Sequence, residues 1–122
     1  MKAWDRRTLI EDALARAVDD WVHVADFIAI ARRTQLDSPE ALRALALGLI
    51  VELLAKGMVV AGDADELGFH PWEIAPEDAI LRVVESWSED DVSPTPGSVA
   101  WFTTTSTGKR IGRDVLAREA SE

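Results

Sequence analysis

Apolar residues fill nearly every position of Ala41–Ala55, where only Arg43 and Glu52 carry charge. At about 100° per residue these two charges fall on opposite sides, so the segment has no continuous polar face, which is typical of a largely buried helix. Ser38–Glu40 has the capping hydroxyl, first-turn proline and acidic residue of a helix start. Lys56–Gly57 has the cation and the glycine of a helix end. The pattern predicts a central, buried helix between these two signals.

Two more helices are predicted before the central one. Asp5 is a suitable cap for the first, whose apolar residues recur at i, i+1, i+4, i+5, i+8 and i+9 over Leu9–Val18. Asp19-Asp20 interrupts that pattern and is predicted to cap a second, mostly apolar helix over Trp21–Arg33. Only Thr34–Asp37 separates this helix from the central one, so the two are expected to pack together as in a helix-turn-helix.

Strand signals follow the central helix. Met58–Val60 is rich in β-branched residues and predicts a short strand. Ala61–Asp65 is predicted to turn the chain outward, and Phe69–Trp72 to form an irregular piece that includes a structural turn at His70. Val99–Thr105 combines aromatic and β-branched residues, and it predicts a strand that pairs with Met58–Val60.

A helix is predicted on each side of that last strand. Pro76 opens the first, which extends to about residue 89 and has an apolar stripe of Ile80, Val83, Val84 and Trp87. Ser106 or Thr107 is predicted to cap the second, over Gly108–Ala120. The elements together predict a mainly α fold with a small β-hairpin or two-to-three-stranded sheet, an α+β domain spanning residues 1–122.

Composition narrows the class of protein. A chain of 122 residues with 48% hydrophobic content fits one domain. The absence of cysteine excludes disulfides, thiolate zinc sites and cysteine nucleophiles. The N-terminus lacks the apolar run of a signal peptide, and no stretch approaches about 18 uncharged apolar residues. These features, with arginine strongly preferred over lysine, predict a protein of a bacterial cytoplasm.

Two short motifs resemble those of winged-helix proteins. Leu53–Val59 reads Leu-Leu-Ala-Lys-Gly-Met-Val, and Trp101–Lys109 reads Trp-Phe-Thr-Thr-Thr-Ser-Thr-Gly-Lys. The first motif is similar to the end of the recognition helix in bacterial MarR-like and ArsR-like regulators. The second motif is similar to the second wing strand of these regulators, which precedes their last helix. The resemblance implies a winged-helix-like domain, in which residues 62–97 form an acidic, helix-containing insertion in place of the wing.

The net charge of −9 is concentrated in that insertion. Between Gly62 and Asp91 ten acidic residues stand against one base, Arg82. Acidic surfaces attract cationic partners and orient them, and tryptophan is enriched at interface hot spots. The sequence therefore predicts a non-enzymatic, acidic protein that binds a basic partner, as an inhibitor or immunity-type protein does. The predicted contact residues are Asp65, Glu66, Trp72, Glu73, Glu89, Asp90 and Asp91; the alternative interpretation of these acids is a solvated surface.

Nucleic-acid binding is the alternative function. The winged-helix resemblance implies a transcriptional regulator, dimeric through its first and last helices, in which phosphates are met by Arg43, Lys109, Arg110 and Arg113. The predicted recognition helix offers one cation only, and the net charge repels DNA, so nucleic acid is the less favoured partner. A third class, a structural module, would form a stable homodimer. His23 and His70 lack metal-ligand spacing, and no catalytic motif surrounds them, so we expect no metal, no cofactor and no enzymatic activity.

Overall fold

The computed structural model describes residues 6–91 and 93–122. Within these ranges the chain forms α1 (Leu9–Arg16), β1 (Val22–His23), α2 (Val24–Ala31), a 3-10 turn (Arg32–Thr34), α3 (Pro39–Ala55), β2 (Val59–Asp65), β3 (Gly68–Pro71), α4 (Pro76–Ser86), β4 (Trp101–Thr104) and α5 (Ser106–Ala120). The strands form one antiparallel sheet in the order β1-β4-β2-β3. The predicted α+β class is confirmed, and the sheet has more strands than the sequence pattern indicates.

Helix α3 lies where the apolar pattern predicts it. The Ser38 hydroxyl accepts a hydrogen bond from the Ala41 N–H at 3.0 Å, and Gly57 takes a left-handed conformation with φ of 68° after the last turn. Five of its side chains are buried, from Ala46 to Leu54. Neighbouring helices α2 and α4 both pack against α3. Packing on two sides explains why α3 needs no continuous polar face.

The N-terminal half differs from the predicted boundaries. Helix α1 is capped by Thr8, whose hydroxyl accepts from the Glu11 N–H at 3.0 Å while the Glu11 carboxylate accepts from Thr8; the predicted cap, Asp5, lies outside the described residues. The prediction of one helix over Trp21–Arg33 is wrong, because the first residues pair with β4 and His23 caps α2 instead. This pairing partner is distant in sequence, so local helical periodicity could not reveal it.

The segment after Val60 is also different. Strand β2 continues to Asp65, and Gly68–Pro71 returns beside it as β3, so the predicted outward turn and irregular piece are wrong. The register pairs Gly62 with Pro71 and Asp65 with Gly68. A Cβ atom at Gly62 would lie 2.3 Å from the His70 carbonyl oxygen. A glycine that looks like a loop signal in the sequence therefore serves the close packing of a hairpin.

Strand β4 pairs with β2 as predicted, with Val59 opposite Thr104. Helix α5 begins earlier than predicted and is capped by Thr105, whose hydroxyl accepts from the Gly108 N–H at 3.2 Å. A Cβ atom at Gly108 would lie 1.9 Å from a main-chain oxygen at Met58, and one at Gly112 would lie 2.5 Å from the Leu14 oxygen. The two glycines that weaken the helix propensity of α5 are thus the residues that let it pack closely.

A buried carboxylate joins the helices at one end of the fold. Asp12, only 1% exposed, accepts hydrogen bonds from Arg7 at 3.0 Å, from Arg16 at 3.1 Å and from Arg33 at 3.1 Å. Arg7 also binds Glu119 of α5, and these bonds to Glu119 and Asp12 raise the pKa of Arg7. The cluster ties α1 to α5 and to the turn after α2. No helix among the described residues has the length and apolar composition needed to cross a membrane.

Candidate protein-binding surface

The acidic segment contains most of the β2–β3 hairpin, helix α4 and the residues beside them. We call the surface of residues 62–91 the acidic face. Helix α4 packs on α3 through Ala79 and Val83, and Trp87, just after the helix, is 1% exposed, as the sequence predicts. Val84 was predicted in the buried stripe, but it is 41% exposed. Ala79 takes the core position instead, so the outer side of α4 carries more apolar surface than the periodicity indicates.

The hairpin tip presents an apolar side chain next to two carboxylates. Leu67 is 85% exposed and follows the exposed Glu66. The Asp65 carboxylate accepts from the Leu67 N–H at 2.8 Å and lies 3.0 Å from Nε2 of His70. These contacts, with His70 first and the Leu67 N–H second, lower the pKa of Asp65. Asp65 therefore stays ionised at neutral pH and fixes the shape of the turn that exposes Leu67.

An apolar groove lies at the base of the hairpin. It has a volume of about 170 Å³ and is bounded by α3, β2 and the start of α4, with Trp72, Glu73 and Ile74 along one side. The Trp72 indole N–H donates to Asp63 at 3.2 Å, and the guanidinium of Arg82 lies 3.9 Å from the centre of its ring. Trp72 is consequently held in place and half-buried, with its neighbour Glu73 fully at the surface.

The outer side of α4 repeats the arrangement of the hairpin tip. Leu81 is 55% exposed and Val84 is 41% exposed. The exposed carboxylates Glu77, Asp78 and Glu85 surround them on the same side of the helix. An apolar centre with a charged rim is the common arrangement of a protein interface.

The predicted contact residues occupy three places on the acidic face. Trp72 and Glu73 share the groove. Asp65 and Glu66 lie at the tip, about four residues or 14 Å along β2 from the point where Trp72 meets the strand. Glu89, Asp90 and Asp91 follow α4, whose 11 residues separate them from the groove by about 16 Å. The structure therefore does not bring the seven residues into one cluster.

Sequence reasoning missed the apolar members of this surface. Leu67, Ile74, Leu81 and Val84 are all exposed within the acidic segment. The signal was present, because Leu81 stands off the apolar stripe of α4 and Leu67 lies between an acidic residue and a glycine. The exposure of Leu81 and Val84 could not be read from the pattern alone, since it depends on which side of α4 meets α3.

The cations of the nucleic-acid alternative are divided between two elements. Arg43 of α3 donates to the main-chain oxygen of Trp87, and its guanidinium lies 5.2 Å from the centre of that indole ring. On α5, Lys109, Arg110 and Arg113 line a shallow cleft together with Asp114. Arg43 is committed to holding the end of α4, so phosphate binding would depend on the α5 cations.

Both histidines have structural contacts. Nδ1 of His23 accepts a hydrogen bond from the Ala25 N–H at 3.3 Å as the cap of α2, and Nε2 of His70 lies 3.0 Å from the Asp65 carboxylate. In the described part of the chain, no group of three or more metal-ligating side chains is arranged to hold an ion. Comparison of the chain with protein-family models, curated proteins and solved structures gives no match.

Proposed function

We propose that this protein is a non-enzymatic binding domain of a bacterial cytoplasm that docks a basic protein partner through the acidic face, in the manner of an inhibitor or immunity protein. One observation carries the proposal: among the described residues, four of the six large apolar side chains that are exposed lie on the acidic face. They are Leu67, Ile74, Leu81 and Val84. Charge and exposed apolar surface thus coincide.

The two components have different physical roles in binding. The carboxylates attract a cationic partner, raise the rate of encounter and favour one orientation. The exposed leucines and the groove beside Trp72 supply apolar area that leaves water on docking, which slows dissociation. A surface that serves only solubility needs the carboxylates but not the exposed apolar side chains. The presence of both favours an interface over a surface that serves solubility alone.

The test compares two variants of equal charge. E66K/E77K/E85K reverses three carboxylates of the acidic face, and D37K/E40K/D114K reverses three exposed carboxylates elsewhere. Each triple change moves the net charge from −9 to −3, since every reversal adds two charges. A partner is first captured from a lysate of the source bacterium, purified and identified, and its association and dissociation rates are then measured by surface plasmon resonance.

We expect the acidic-face variant to associate at least about tenfold more slowly and to lose most of the salt dependence. The control variant should keep the wild-type rate within about threefold, because only general charge is changed. L67A/L81A should raise the dissociation rate without changing the association rate. Equal slowing by both triple variants would reduce the effect to net charge and refute the acidic face as an interface.

A second candidate is a winged-helix DNA-binding regulator. Support comes from the strand order β1-β4-β2, from the contacts of β1 with α2 and of β2 with α3, and from the exposed Arg110 and Arg113 of α5. Fluorescence anisotropy with a labelled duplex at about 0.15 M salt tests it, since phosphate binding must weaken as salt rises. K109Q/R110Q/R113Q should abolish such binding, and absence of binding by the wild type would reject the candidate.

A further inference from the structure

A second cavity lies on the face of the sheet opposite the core. Val22 of β1 and Phe102 of β4 face each other and are buried, so their neighbours His23 and Trp101 share the other side of the sheet. There the structure has an open cavity of about 440 Å³. We call it the sheet-face cavity. The residues that line it belong to α1, β1, α2, β4 and the segment before β1, all outside residues 62–91.

Aromatic rings form its floor and wall. The rings of His23 and Trp101 pack edge to face with their centres 4.9 Å apart, and those of Trp21 and Trp101 do so at 6.4 Å. Phe69 supports Trp21 from β3 at 6.2 Å. The contacts between the rings hold them in place. All four side chains are half-buried, so they also remain accessible to solvent.

Two carboxylates stand beside these rings. Asp20 accepts from the Trp21 N–H through Oδ1 at 2.9 Å, and Asp26 accepts from the His23 N–H through Oδ2 at 3.0 Å. The second oxygen of each accepts no hydrogen bond from the described residues. Arg16 also lines the cavity, but its guanidinium is bound to the buried Asp12. The cavity thus has oriented carboxylates with unused acceptor capacity.

The other described indoles show which group such a ring attracts in this protein. Trp72 carries the guanidinium of Arg82 at 3.9 Å, and Trp87 that of Arg43 at 5.2 Å. The two indoles of the sheet-face cavity have no guanidinium stacked on them among the described residues. A cation that approaches this cavity meets half-buried indole rings and carboxylate oxygens together, and both groups attract guanidinium.

We propose that the sheet-face cavity binds an arginine side chain of a protein partner. Arginine fits better than lysine because its planar guanidinium stacks on an indole while its fork of N–H groups meets a carboxylate. This proposal goes beyond the acidic face and stands even if that face binds nothing. The two sites would together let the protein hold one basic partner at two separated points.

Titration followed by NMR tests the cavity directly. The probe is N-acetyl-arginine amide, and the indole N–H signals of Trp21 and Trp101 are assigned from W21F and W101F. Both signals should shift and saturate with the arginine probe, and the lysine analogue should bind roughly two- to fivefold more weakly. The citrulline analogue has the same shape without the charge, so it should leave both signals unchanged.

Charge-neutral variants complete the test. D20N/D26N keeps the hydrogen bonds from the main-chain N–H groups of Trp21 and His23, and it should lower the affinity for the arginine probe by roughly fivefold. E77Q/E85Q removes the same charge from α4 and should leave its affinity within about twofold. If the double variant does not fold, D20N alone gives the result, because Asp20 is exposed.

Three outcomes would overturn the proposal. They are an absence of shifts at Trp21 and Trp101, an equal response to the citrulline analogue, and a much tighter affinity for free arginine than for the blocked probe, which would indicate an amino-acid site. None of them bears on the charge-reversal experiment at the acidic face, so failure of one proposal is distinguishable from failure of the other.

Discussion

The buried carboxylate of Asp12 is the most informative single position for stability. Asp12→Asn keeps the size of the side chain and removes the charge that three guanidinium groups share. Because Asp12 is 1% exposed, water cannot replace the lost interaction at that point. The side chains of Arg7 and Arg33 are only 13% and 19% exposed, so they would stay partly buried with less compensation.

The expected loss follows from these contacts. Three hydrogen bonds to a charged group are worth about 1.5–3 kcal/mol each. The amide oxygen of asparagine retains about one of them, Arg16 can turn toward water because it is 36% exposed, and Arg7 keeps Glu119. We therefore expect a net loss of about 3 kcal/mol, at the lower end of the range for breaking a buried ion pair. For this chain length the melting temperature should fall by about 10 °C.

Urea denaturation followed by tryptophan fluorescence measures the loss. The midpoint should fall while the slope m stays at its wild-type value, since the folded state is retained. Asp114→Asn is the matched control, because it removes the same charge at an exposed position of α5 and should change stability by less than about 0.5 kcal/mol. A loss below about 1 kcal/mol for Asp12→Asn would show that desolvation cancels the attraction, and it would contradict a stabilising role for the buried carboxylate.

Three other predictions concern packing, pH and the surface. Gly108→Ala should destabilise the fold by about 2 kcal/mol or more, because the added Cβ atom would meet a main-chain oxygen at 1.9 Å. At Gly48 an added Cβ atom has nothing within 4 Å, so Gly48→Ala should stabilise the fold by about 0.5–1 kcal/mol. Thermal denaturation of the two variants measures both effects. The hydrogen bond from Arg7 lowers the pKa of Glu119 below its usual 4.5. The stability that Glu119 contributes is therefore complete above its usual pKa and is lost as pH falls through its lowered pKa in the folded state. Denaturation midpoints measured from pH 6 downward should fall less steeply in Glu119→Gln than in the wild type, and parallel curves would contradict the assignment. Leu67→Ala should leave stability within about 0.5 kcal/mol, because the side chain is 85% exposed, and a larger loss by urea denaturation would show an unrecognised structural role.

Local chemistry determined the elements that carry their own signals. Ser38, Pro39 and Gly57 fixed the ends of α3, and the placement of Pro76 at the start of α4 followed the same rules. The α+β class and the pairing of the two main strands could also be predicted, because a β-branched run on each side of a helix has few partners to choose from.

The segments that the local pattern predicts wrongly are those whose structure depends on contacts made in the folded chain. Val22–His23 lies in a helical pattern, yet it becomes β1 because β4 offers hydrogen bonds at that edge of the sheet. The segment after Val60 becomes a hairpin because Gly62 permits close contact with His70. Neither contact leaves a periodic trace in the sequence, since each partner is set by the three-dimensional packing.

At the candidate sites, the order of residues is enough to place the charges along the chain, but the arrangement of the side chains around them depends on the tertiary structure. The distribution of charged residues along the chain locates the acidic segment and predicts attraction to a cationic partner. The orientation of α4 on α3 decided that Leu81 and Val84 face outward, and the sheet decided that Trp21 and Trp101 meet although 80 residues separate them. The physical reason is that charge is a property of each residue, whereas exposure and contact are properties of the whole packed chain.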